Sequence, residues 1–330
     1  MSAPQLDVGG QAVIEGVMMR SPRSFVVAVR KPNGEIVVRE DLWKSLSGRL
    51  SFLKWPFFRG TVVLLEALQN GIQALTFSAN HAVEEEEGTE EELTPWAIWG
   101  TIAVSFALGI AFFVLLPHFL TLLSGRLFGK DLTVDSVLFH AIDGAIKAAL
   151  FVGYVYVISF WKDIRRIFEY HGAEHKSIYA YENGEALTVE NARKYPTLHP
   201  RCGTSFLIMV ILVSIVLFSA IFPLLPTFPE WHRVTRNLFY MLVKIPLMLP
   251  VAGLAYEVIR FSGKHPDHPL VKLFILPGLL LQKITTREPS DDQLEIALIA
   301  LKRALWYEEA GEAAHTSGGV RTYREAGLIL

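Results

Sequence analysis

Residues 205–225 read SFLIMVILVSIVLFSAIFPLL, twenty-one positions without one charged side chain. A helix of that length crosses the hydrocarbon core of a bilayer, which is about 30 Å thick. Inside lipid the backbone has to satisfy its own hydrogen bonds, so the run reads as a transmembrane helix. Segments 96–123, 134–161 and 238–259 have the same character. The expected fold class is therefore mainly α: a polytopic membrane protein with four transmembrane helices. Composition agrees, since 51% of the 330 residues are hydrophobic and 19% are charged, too apolar a balance for an ordinary soluble domain.

Lysine and arginine orient the four helices. Residues 1–95 carry nine, 162–203 carry seven and 260–330 carry nine, against two each in the connections 124–133 and 226–237. The positive-inside rule then places both termini and the 162–203 loop in the cytoplasm. A net charge of −2 offers no long-range pull on nucleic acid, and none is expected as a partner. A single cysteine excludes a disulfide framework and suits a reducing compartment. The first thirty residues lack a signal-type apolar core, so no cleavage is expected.

The soluble parts divide by pattern. Residues 1–10 look flexible. SFVVAVR (24–30) and EIVVR (35–39) flank Lys31-Pro32-Asn33-Gly34, and an Asn-Gly pair between β-branched runs marks a hairpin. Residues 1–41 are expected to form a cytoplasmic β-meander. Glu15, beside Gly16, reads either as a turn carboxylate or as a group reaching a metal site, the former being favoured. Residues 42–83 carry helices broken at Pro56, with Val62, Leu65, Leu68, Ile72 and Leu75 as an interfacial stripe interrupted by polar residues. Residues 84–95 form an acidic linker. Within the membrane segment 96–261, Asp143 and Lys147 are four apart and can neutralise each other on one helix face. With Lys244 and Glu257 they read as helix-to-helix pairing or, less favoured, as an ion path. Residues 262–289 read as an interfacial or re-entrant segment, with His265 and His268 in a turn. Ser290-Asp291-Asp292-Gln293 is a capping box that opens a helix to about Glu309 in a 290–330 helix and tail, the last twenty residues loosely ordered.

Chemistry concentrates in the loop 162–203. It contains Tyr170-His171-Gly172-Ala173-Glu174-His175-Lys176 and closes on His199-Pro200-Arg201-Cys202-Gly203. Histidines four apart sit one helical turn above each other and can grip one metal ion. His199 and Cys202 supply a third and a fourth donor. Imidazole and thiolate are good ligands for a divalent metal, with zinc the expected ion. Four ligands would close a structural site. Three would leave a position for water, whose proton Glu174 could take. The order His171, Glu174, His175 also matches the inverted zincin pattern. The bland alternative is a polar, non-metal helix surface. Cys202 as a nucleophile beside His199 is a weaker reading. The second span is expected to continue past Lys162 as one helix, carrying the histidines on a stalk and stopping at Asn183-Gly184.

The stretches GGQAVIEGVMM (9–19), 170–176 and 199–203 resemble the YqhQ-like family of bacterial membrane proteins, a family of unknown function sometimes described as predicted metal-dependent enzymes. The resemblance runs from about residue 9 to residue 304 and implies a bacterial cytoplasmic membrane. Two functions are therefore carried forward. One is a metal-dependent hydrolase at the cytoplasmic face, with Glu174 as base and a membrane-associated peptide or lipid-linked substrate. The other is a non-enzymatic partner in membrane-protein assembly or transport. In that case a structural metal or polar cluster pins the loop, and the helices at 61–79 and 290–309, with the acidic linker, are docking surfaces.

Overall fold

The computed structural model describes residues 6–45, 51–56, 58–82, 95–129, 132–134, 136–265, 268–310 and 319–322. The acidic linker and most of the C-terminal tail fall outside them. Among the described residues, four helical stretches are long and apolar enough to cross a membrane: Trp99–Leu127, Val137–Ile158, Gly203–Leu224 and Val234–Ser262. They coincide closely with the four segments read from the sequence. The first is built from α2 (Pro95–Ile110) and α3 (Leu116–Leu127), joined through a π turn, Ala111–Leu115. The others are α4 (Val137–Ile158), α7 (Gly203–Ile221) and α8 (Arg233–Lys264). Asp143 Oδ2 accepts from Lys147 Nζ at 2.6 Å and from Lys244 Nζ at 3.0 Å, which ties α4 to α8. Glu257 pairs with Arg59. Helix pairing, the favoured reading of these charges, is what the packing uses.

The N-terminal meander is β1 (Gly9–Val13), β2 (Gly16–Arg20), β3 (Ser24–Arg30) and β4 (Ile36–Leu42), antiparallel throughout. Residues 9 and 10 are thus strand, not a loose end. β5 (Gly319–Thr322) adds a fifth strand against β4, so part of the tail expected to be loose is ordered by backbone pairing. Gly34 takes a φ of 84° in the β3–β4 turn, the left-handed conformation that its lack of a Cβ permits. Glu15, at φ 50°, turns the chain from β1 to β2. Its carboxylate pairs with Arg166 and accepts from the Tyr170 hydroxyl at 3.3 Å. It is a turn carboxylate that seats α5 (Lys162–Glu182) on the hairpin tip.

Both faces of the sheet are covered, which explains why SFVVAVR reads as an unbroken apolar run and not as an alternation. Val17, Met19, Val26, Ala28 and Val38 meet α5 and α10 (Asp291–Ala310). Met18, Phe25, Val27, Val29 and Val37 meet Ala74 and Phe77 of α1 (Phe58–Ala82). On α1, Leu65, Leu68 and Leu75 of the expected interfacial stripe are exposed, whereas Val62, Glu66 and Asn70 are buried. The reason is close packing. Gly60 lies against Gly253 and Tyr256 of α8 and Gly71 against Gln11, contacts that only a small-residue face allows, while Glu66 is paired with Arg20.

Helix α10, one of the expected docking surfaces, is largely covered within the fold. It is buried along most of its length between α5 and the sheet. Its start uses half of the capping box, with Gln293 Oε1 accepting from Ser290 N at 2.9 Å. Near its end, Glu308 accepts from Ser21 Oγ at 2.5 Å and from Arg23 N at 2.8 Å. Burial opposes ionisation of Glu308, but Ser21 and Arg23 outweigh it and hold the carboxyl below the usual glutamate range. A lowered carboxylate adds stability that is complete above its unfolded-state pKa and is lost as pH falls through the folded-state value. Glu308→Gln is therefore expected to lower the melting temperature at neutral pH, with the gap from the parent closing in acid. A gap of constant size in melts across pH would contradict this.

The expected stalk does not form. Ser159, Phe160 and Trp161 turn the chain, and Trp161 adopts extended backbone at the start of α5. A stalk would leave Tyr170, Ala173, Ile178 and Ala180 in water. The turn lets α5 bury them between the sheet and α10. α5 ends at Asn183-Gly184 as read. Gly184 N donates to Tyr181 O at 2.9 Å and Glu185 N to Ala180 O at 3.0 Å, a Schellman closure. α6 (Val189–Arg193) and α9 (Pro269–Thr285) complete the set. α9, the expected interfacial or re-entrant segment, is a single helix packed mainly on α7.

Candidate metal centre

α5 delivers His171 and His175 one turn apart, their ring centroids separated by 4.4 Å. Their neighbour Gly172 explains how α5 reaches this position: a Cβ there would stand 2.0 Å from Arg287 O. Only glycine lets the segment after α9 cross α5 so closely. That crossing brings Thr285 O to the His171 ring, where Nδ1–H donates to it at 2.8 Å. His175 Nδ1–H donates to Thr197 O in the loop before α7. A carbonyl can only accept, so both Nδ1 atoms are protonated and both Nε2 atoms carry the lone pair.

Those lone pairs converge. His171 Nε2 lies 3.2 Å from Cys202 Sγ. His175 Nε2 is buried and has no hydrogen-bond partner among the described residues. One donor atom from each of His171, His175 and Cys202 lies within 4.8 Å of the other two. A zinc ion about 2.0–2.3 Å from each of three such atoms would hold them roughly 3.5 Å apart. Imidazoles anchored through Nδ1–H to carbonyls, with Nε2 left open, are also the usual outer arrangement of metal-binding histidines. The donor set fits a divalent ion. Burial holds the His175 ring below the ordinary imidazole range, against the opposing pull of the Cys202 sulfur.

His199 stands apart from this trio. Its Nδ1 accepts from Arg201 N at 3.3 Å and its Nε2 faces Glu182 Oε2 at 3.3 Å. Burial lowers its pKa to about 4, so the ring is neutral and both nitrogens are already engaged. The structure gives it the work of shaping the loop. Gln282 on α9 assists, clamping that loop by accepting from His199 N at 2.8 Å and donating to His199 O at 2.9 Å. Lys176 donates to Arg193 O at 3.0 Å, fixing α6 to α5. His265 lies exposed at the end of α8 and His268 opens α9, both outside the trio.

Glu174 is buried beside the trio but is not part of it. Burial raises its pKa, with His171 and His199 and the Gly10 backbone N–H acting in the opposite direction. Gly10 is in β1, where a Cβ would meet Glu174 Cδ at 2.8 Å. Gly10 is therefore required where the strand passes directly over this carboxylate, whereas a Cβ at Gly9 would meet nothing within 4 Å. Glu174, His171 and Cys202 line a cavity of about 630 Å³ whose walls also come from β1, α1, α7 and α8.

The sequence reading singled out four candidate ligands and a candidate base, and the structure brings His171, His175 and Cys202 together with Glu174 beside them. It missed Thr197 and Thr285, whose contributions are carbonyls and leave no mark in side-chain chemistry. Gln282 left one signal, an amide just after the apolar run 270–281.

A family model described as "Protein of unknown function (DUF1385)" matches residues 55–306. "Uncharacterized protein YqhQ" of Bacillus subtilis (strain 168) is 35% identical over 315 residues, covering 92% of this chain and 94% of that protein. No solved structure matches.

Proposed function

This chain belongs to the DUF1385, YqhQ-like family, and from that premise we propose that it is a metal-dependent hydrolase of the bacterial cytoplasmic membrane. The family's description supplies no activity, so the site carries the reading. Four helices long and apolar enough to cross a bilayer support a membrane location, and the lysine and arginine bias supports a cytoplasmic side for the sheet, both termini and the site.

The observation that carries it is the number of donors. Structural zinc sites are closed by four protein ligands, whereas catalytic ones use three and leave a position open. Here three converge, and the fourth candidate, His199, is held away by Glu182 and Arg201. A divalent ion at His171, His175 and Cys202 would acidify a water molecule and polarise a scissile carbonyl or phosphoryl group. Glu174 accepts the proton of the attacking water on its carboxylate and returns it to the leaving group. The Gly10 N–H fixes the orientation of that carboxylate. The apolar cavity walls exclude bulk water from the reacting groups.

The test combines metal analysis with a hydrolysis assay on purified full-length protein in nanodiscs, using chromogenic ester and peptide substrates. The expected result is one zinc per chain, and a Glu174→Gln variant that keeps it while losing about 10²-fold or more in turnover, the usual worth of a general base. Loss of zinc from Glu174→Gln would make it a ligand, and unchanged turnover would remove it from the mechanism. A metal that merely pins the loop predicts a mild Glu174→Gln phenotype.

A further inference from the structure

The cavity behind the metal centre has more apolar wall than a small polar substrate needs. Its volume, about 630 Å³, is in the usual range for ligand pockets, roughly 300–1,000 Å³. Besides Glu174, His171 and Cys202, the walls include Leu64, Phe168, Phe206 and Ile259. Phe206 belongs to the first turn of the apolar helix Gly203–Leu224, and Ile259 to the last turn of Val234–Ser262. Two helices with the composition of membrane spans thus bound the cavity at their site-proximal ends. Leu207, on the same first turns of α7, lines the cavity and is 45% exposed. Among the described lining residues, the one guanidinium, Arg201, is paired with Glu182 and Asp7 and is not free for a phosphate group.

We propose that this cavity holds the hydrocarbon chain of an acyl-bearing amphiphile taken sideways from the bilayer, with its carbonyl linkage beside Glu174. This deepens the hydrolase reading and rests on it for the fate of the linkage, but chain binding stands by itself. Ala67 lines the mouth from α1 and is exposed, so a bulky residue can be introduced there without disturbing the core.

The experiment uses full-length protein in nanodiscs and a 16-carbon fatty acid carrying a mid-chain diazirine. After illumination, labelled peptides are mapped by mass spectrometry, with and without excess unlabelled palmitate. The expected result is competed labelling around residues 63–67 and 204–207. Ala67→Trp should reduce it at least about fivefold, because an indole overlaps the space of the chain. The lipid-facing stretch 99–127 should label without competition and equally in both proteins. Leu207→Trp, checked for a parental melting temperature, is the second variant. Labelling at 63–67 and 204–207 that is no better competed than at 99–127, or that ignores both tryptophans, overturns the proposal. Metal content is measured on the same samples. Competed labelling on protein that binds no metal supports this inference and sinks the hydrolase. Stoichiometric zinc without competed labelling does the reverse.

Discussion

Replacing His175 with alanine is expected to abolish stoichiometric zinc binding, whereas replacing His199 should leave it in place. Both residues were candidate ligands from the sequence, His175 in the helical pair and His199 as a further donor, and their hydrogen bonds separate them. His175 offers a buried Nε2 with no hydrogen-bond partner among the described residues, within reach of His171 and Cys202. His199 has spent one nitrogen on Arg201 and the other on Glu182. The measurement is zinc per chain by mass spectrometry, with cobalt substitution as a second readout. Cobalt should give a thiolate-to-metal charge-transfer band that disappears in Cys202→Ser and persists in His199→Ala. Chelation should also destabilise the parent, because a ligand bound only to the folded state adds stability, about 2.7 kcal/mol at a hundred times its dissociation constant. His175→Ala should melt at one temperature with or without zinc. A His199→Ala protein that arrives without metal would restore the four-ligand, structural site.

The largest effect on folding is expected away from the site. Arg303 of α10 and Glu40 of β4 form a bidentate pair, one arm of which measures 2.7 Å, with side chains 6% and 1% exposed. Breaking a buried pair from one side leaves an uncompensated charge and costs about 3–5 kcal/mol. That is a large fraction of the roughly 5–15 kcal/mol that separates most folded proteins from their unfolded states. Arg303 also lies over the Trp306 ring at 4.3 Å, packing that alanine forfeits. Arg303→Ala should therefore lower the unfolding midpoint sharply. Glu40→Leu with Arg303→Leu should recover most of the loss, since no charge is then stranded. Arg193→Ala is the control. Its pair with Asp291 is 55% and 58% exposed, and such surface pairs contribute about 0–1 kcal/mol. Equal midpoints for Arg303→Ala and Arg193→Ala would refute the argument.

Some of the site was legible because side-chain type and helical spacing carry it. His171, Glu174 and His175 are fixed to one another by a helix, whatever surrounds them. Cys202 was legible as the one thiol in the chain. The assignment of His199 was not, because a histidine's availability depends on who occupies its two nitrogens. On α1 the apolar stripe was legible, but the face that meets protein was not, because Gly60, Gly71 and Ala74 decide which side can approach a neighbour closely.

By itself the sequence determined the four long apolar helices, the N-terminal meander, the Gly184 stop and the cluster of donor types. All of these depend on neighbours within about a turn or a hairpin, or on total hydrophobicity. Tertiary structure alone decided that the chain turns at residues 159–161 so that α5 packs inside, and that β5 returns to pair with β4. It also decided that Thr285 and Thr197 lock the two imidazoles and that three donors converge. These are choices between burying apolar surface and leaving it in water, and they are made by partners more than a hundred residues apart for His171 and Thr285. No local pattern records them.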